Sequence, residues 1–79
     1  MGRKEILEQL NAIFIDILDN EGIKLTESTT AADIEEWDSL THIHLIVSFE
    51  KHFKIRFASK EIQSWKHIGD MIESISEKI

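Results

Sequence analysis

The apolar residues of this chain recur at steps of three and four in three separate runs, and that spacing limits the possible folds most. Ile6, Leu7, Leu10, Ile13, Phe14, Ile17 and Leu18 mark the first run, within residues 3–19. Leu40, Ile43, Ile46, Val47, Phe49 and Phe53 mark the second, over 39–53. Ile68, Met71, Ile72, Ile75 and Ile79 mark the third, from about His67 to Lys78. Residues three and four apart share one side of an α-helix, so each run predicts an amphipathic helix that must bury its stripe. Lys54-Ile55-Arg56-Phe57 alternates as a strand would, but four residues without a partner strand read better as an extended connector. The expected class is all-α.

The second run carries the widest apolar face and is expected to be the most buried element. Its other face holds Thr41, His44, Ser48 and Lys51, which follow one another at helical steps as an exposed stripe. Asn20-Glu21-Gly22 closes the first helix, with Gly22 placed for a left-handed cap. From Ile23 to Asp38 the period breaks, and Thr26, Ser28, Thr29 and Thr30 favour turns over helix interiors. Ile23, Leu25, Ile34 and Trp37 are expected to pin this loop onto the bundle, with a single helical turn near Ala31-Ala32-Asp33-Ile34. Ser59 is placed to cap a short third helix, Lys60 to Ser64.

Seventy-nine residues suffice for one domain, 1–79. With no Cys, disulfides are excluded, and any thioester chemistry needs a sulfur from a prosthetic group. The net charge of −6 argues against nucleic acid and for partners with basic patches. Met1-Gly2 matches a myristoylation start, but Ile6 stands where that signal needs Ser or Thr. No stretch has the apolar length of a signal peptide core or a membrane span, which predicts a cytoplasmic protein without membrane attachment.

Three patterns bear on chemistry. The His residues do not make a helical zinc pair, since His42 and His44 are two apart and His44 and His52 eight apart, not four. They read as solvated face residues. Asp38, Ser39 and His42 suggest a hydrolase, but a working triad needs a carboxylate behind the His and an oxyanion hole. Asp38 adjoins the Ser instead. The third pattern is Asp38-Ser39-Leu40 itself, which on its own is a helix cap at a partly positive helix end.

That motif lies at mid-chain, at a helix start in a small acidic helical domain. It is followed by Leu45, Phe49-Glu50, Phe53, Ile55 and Phe57. In this layout the chain resembles the acyl carrier protein family over nearly its full length. The resemblance implies a four-helix bundle with three longer helices and a short third one. It implies that Ser39, flanked by Asp38 and Leu40, carries a 4′-phosphopantetheine arm. A phosphopantetheinyl transferase would install the arm from coenzyme A with Mg²⁺. The phosphodiester would then sit over the positive end of the second helix, favoured by about 0.3–1 kcal/mol.

The same resemblance implies a monomeric carrier that catalyses nothing. It would hold acyl groups as thioesters for acyl-transferring, condensing or ligating enzymes of fatty acid, polyketide or related biosynthesis. Glu35, Glu36, Trp37, Thr41, His44 and Glu50 fall at docking positions. Ile43, Ile46, Phe49, Phe57, Ile62, Trp65 and Met71 fall at positions lining the acyl pocket. Thr41 and His44 stand where fatty-acid carriers usually have acids, which points to a dedicated pathway, and a peptidyl or aminoacyl (such as D-alanyl) carrier is the near alternative. Bulk at Ile62 and Trp65 points to short or polar cargo. The runner-up class is a non-catalytic helical interaction module with no prosthetic group.

Overall fold

The computed structural model describes residues 2–79, so Met1 of the Met1-Gly2 start and of the 1–79 span lies outside the described residues. Helix α1 runs Arg3–Leu18, α2 Ser39–Phe53, α3 Ser59–Ser64 and α4 Ile68–Lys78. A single 3₁₀ turn, Ala31–Asp33, interrupts the long loop between α1 and α2. No strand occurs among the described residues, and Lys54–Phe57 is the extended connector its length suggested.

Helix α1 packs against both α2 and α4. Its stripe of Ile6, Leu10, Phe14 and Leu18 meets Leu45, Phe49 and Phe53 of α2 and Ile68, Met71, Ile72 and Ile75 of α4 in one buried cluster. Phe14 is the centre of it, stacked on Phe49 at 5.9 Å between ring centroids and met edge-on by Trp37 at 5.0 Å. Burying a side chain of this size stabilises the fold by about 1.5–3 kcal/mol.

The long loop is pinned as its isolated apolar residues predicted, with Ile23, Leu25 and Ile34 all buried. Asn11 of α1 adds a polar clamp. Its Nδ2 donates to the Ile23 carbonyl at 3.3 Å, and its Oδ1 accepts from the Leu25 N–H at 2.7 Å. The loop also caps α4, because the Ile68 and Gly69 N–H groups donate to the Thr29 and Glu27 carbonyls at 2.9 and 2.8 Å. These are donors a helix start otherwise leaves without partners. A Cβ at position 69 would stand 3.1 Å from the Glu27 oxygen, so glycine permits this close approach. Arg3 ties the same corner together through Glu27 and Glu73, each at 2.6 Å.

Three expectations are corrected. The left-handed residue that caps α1 is Asp19, at φ 52, and not Gly22, which has no positive φ. Gly22 instead donates its N–H to Asn20 Oδ1 at 2.9 Å, so the asparagine closes the turn. Helix α3 begins at Ser59 itself, with Ala58 at the cap position. Helix α2 is not buried on its whole apolar face, since Leu40, Ile43 and Val47 remain 67 %, 59 % and 43 % exposed. Its apolar residues occupy more than one arc of the helix, and periodicity alone does not tell which arc meets the neighbours.

Candidate functional site

Ser39 is the first residue of α2 and is exposed. Asp38 caps the helix, its Oδ1 accepting from the Leu40 N–H at 3.0 Å and the Thr41 N–H at 2.9 Å. Thr41 returns the contact, its hydroxyl oxygen accepting from the Asp38 N–H at 2.8 Å. That hydroxyl lies 3.0 Å from the Glu36 carbonyl, to which it donates. A threonine thus fills the place usually taken by Glu or Gln in a capping box. The Thr41 N–H and hydroxyl, with the Leu40 N–H, hold the Asp38 carboxyl below the usual carboxylate range, so it is anionic at neutral pH.

This cap changes what the helix end offers an anion. Two of its first N–H groups are already taken by Asp38, and a carboxylate stands beside Ser39. Positive charge comes from Lys66, across an adjoining cleft of about 360 Å³ that Ser39, Trp37, His42, Trp65, His67 and Met71 also line. Its aromatic wall is fixed on both sides. Trp37 Nε1 donates to His42 Nδ1 at 3.0 Å, and Trp65 Nε1 donates to Ser74 Oγ at 2.9 Å. Trp65 also meets Phe57 edge-on at 4.9 Å and His42 edge-on at 6.4 Å.

His42 is therefore not a solvated face residue. Its Nδ1 accepts a hydrogen bond, so the ring proton sits on Nε2 and the imidazole is neutral. Burial pushes its pKa below the ordinary histidine value, in the same direction. The sequence concealed this because the partner, Trp37, comes from the loop. Among the described residues no three His, Cys, Asp or Glu side chains gather as a metal site.

The expected docking residues divide. Glu35, Glu36 and His44 are exposed, and Glu36 accepts from Asn20 Nδ2 at 3.0 Å. Trp37 is half-buried against Phe14, and Thr41 is half-buried in the cap. Glu50 is half-buried, with Oε2 accepting from the Phe57 N–H at 3.0 Å. The expected stripe of Thr41, His44, Ser48 and Lys51 is displaced, since Thr41 and Ser48 are partly covered while Leu40, Ile43 and Val47 are open. Of the expected pocket residues, Trp65 and Met71 line the cleft beside Ser39. Phe49 and Met71 are buried, Ile46, Phe57, Ile62 and Trp65 are partly buried, and Ile43 points to the exposed face.

No family model matches the chain. The acyl carrier protein of Caulobacter vibrioides (strain NA1000 / CB15N) is 32% identical over 74 residues, covering 94% of this chain and 95% of that protein. The chain belongs to the acyl carrier proteins. A second acyl carrier protein, from Thermosynechococcus vestitus, is 29% identical over 79 residues, covering 100% of this chain and 98% of its own length. The solution structure of a holo acyl carrier protein from Geobacter metallireducens superposes with a TM-score of 0.87 at 46% identity. It covers 91% of this chain and 83% of that one. The four-helix bundle that the family resemblance implied is thus the fold of this carrier family. No helix of the described residues is long and apolar enough to cross a membrane.

Proposed function

We propose that this chain is a cytoplasmic, non-catalytic carrier of short or polar acyl groups, with Ser39 as the attachment residue of a 4′-phosphopantetheine arm. The observation that carries the reading is the exposed Ser39 at the start of α2, capped by Asp38 and opening on a cleft that Lys66 lines. The arm, when attached, supplies the thiol that Cys-free chains lack, and acyl groups ride on it as thioesters. The rest falls to the chain's own residues. Asp38 and Thr41 fix the backbone at the helix start, so Ser39 is presented to a transferase from a defined position. Lys66 offsets a phosphodiester's negative charge, a task the helix end is less able to perform with Asp38 occupying its N–H groups.

The choice of cargo rests on the aromatic wall. Trp65 is held by Ser74 and packed by Phe57 and His42, so it narrows the space beside Ser39 and does not swing aside at no cost. Packed interiors close to crystal density leave little room for a long chain. The partners are a phosphopantetheinyl transferase and acyl-transferring, condensing or ligating enzymes of a dedicated pathway. His44, exposed where fatty-acid carriers usually hold an acid, weakens attraction to basic synthase patches.

The test is chemical. Loaded from an acyl-coenzyme A by a broad-specificity transferase, the chain should carry one acyl group that hydroxylamine releases while the arm stays. An acyl group that resists hydroxylamine, or no loading at all, would contradict the reading.

A further inference from the structure

Residues 51–60 hold Lys51, Lys54, Arg56 and Lys60, four of the nine Lys and Arg, and none of the 15 Asp and Glu. In a chain of net charge −6 this is a local reversal. Lys51, Lys54 and Arg56 converge on one cleft at the C-terminal end of α2, together with Val47, Ile55 and Glu50. All three cations are exposed, and among the described residues none makes an ion pair. The one carboxylate of the cleft, Glu50, is committed to the Phe57 N–H at 3.0 Å.

The cleft continues a face already open. Leu40, Ile43, Val47 and Lys51 follow one another at three- and four-residue steps, so they share one side of α2. Leu40, Ile43 and Val47 are the exposed apolar residues of that side. Acids at Glu35, Glu36 and Asp38 precede α2, the exposed apolar residues lie along it, and the cations Lys51, Lys54 and Arg56 stand at and just beyond its C-terminal end. From Ser39 to Lys51 is about 18 Å along the axis at 1.5 Å per residue. At physiological salt charges are screened beyond about 8 Å, so the acidic end does not cancel the basic one.

We infer that the C-terminal end of α2 and its connector dock a compact acidic patch on a partner protein. Carboxylates would face Lys51, Lys54 and Arg56 while apolar side chains cover Leu40, Ile43 and Val47. Charge complementarity of this kind fixes register and suppresses wrong partners. A broad anionic surface, such as a bilayer, would bring negative charge against Glu35, Glu36 and Asp38 as well and is repelled by the net charge. The Ser39 reading gives this face its sense, with the arm leaving from the acidic end. The docking test uses the chain without an arm, so its failure and a failure to load Ser39 are separate results.

The probe is a synthetic amphipathic helical peptide with a leucine stripe and a glutamate-rich end, titrated into the ¹⁵N-labelled chain. The expected result is saturable shifts at Val47, Lys51, Ile55 and Arg56, weakened at least tenfold when the glutamates become glutamines. Lys51→Gln with Arg56→Gln should weaken binding as much without lowering the melting temperature. Lys54 is left in place because it ends α2 at φ 58. No saturable shifts, equal binding of the glutamine peptide, or tighter binding to phosphatidylglycerol vesicles than to the peptide would each overturn the inference.

Discussion

Trp37 donates its indole N–H to Nδ1 of His42 at 3.0 Å, which ties the loop before Ser39 to the first turns of α2. The bond requires an unprotonated Nδ1, so a second proton on the ring would set one N–H against another. Trp37 also packs edge-on against Phe14, and the contact therefore joins the cleft to the centre of the core.

A pH dependence follows. The His42 pKa is depressed by burial in the folded chain, whereas the unfolded chain has the ordinary value near 6.5. The unfolded state then binds the proton more readily, so stability from this group is complete above about pH 6.5 and is lost as pH falls toward the folded value. Thermal melts at pH 7.5 and 5.5 should show a lower melting temperature at the acid end, accompanied by a change in Trp37 fluorescence. His42→Gln should shrink both differences. A melting temperature unaffected by His42→Gln at either pH would argue against the neutral tautomer.

The core makes a quantitative demand. Phe14→Ala removes a fully buried ring that touches Phe49 and Trp37, and such changes cost about 3–5 kcal/mol. Against a stability of about 0.05–0.15 kcal/mol per residue, little would remain in a chain this short. Phe14→Leu should be far milder. Urea unfolding of the three chains measures this, and equal midpoints would mean that the ring is not central.

The proposed limit on cargo size rests on Trp65. Acyl groups of increasing length, attached to the arm, should raise the melting temperature for short chains and then stop doing so. Trp65→Ala should move that limit to longer chains, because it empties space against Phe57 and His42. A steady rise through long chains in the unaltered protein would show that the indole does not limit the cleft.

The fold was largely legible because its signals are local. The bounds of α2 follow from Asp38 at its start and the end of apolar spacing after Phe53. The pinning of the loop follows from Ile23, Leu25 and Ile34 standing alone among polar residues. What was not legible depends on residues far apart in sequence or on ambiguous patterns. His42 read as solvated because its partners Trp37 and Trp65 reach it through the fold. The family resemblance puts Ile43 in the pocket, but α2 is apolar on two arcs and packing against α1 leaves Ile43 on the exposed one. Thr41 read as a docking position, although a capping role was within reach, since Asp38 and Thr41 stand three apart as capping partners do.

The proposed cargo and partners both depend on whether Ser39 carries the arm. Intact mass after incubation with coenzyme A, Mg²⁺ and a broad-specificity transferase measures this directly. One phosphopantetheine on the unaltered chain and none on Ser39→Ala is the expected pair of results. A gain that persists in Ser39→Ala would move the site elsewhere, and no gain with any transferase would leave a helical interaction module in place of a carrier.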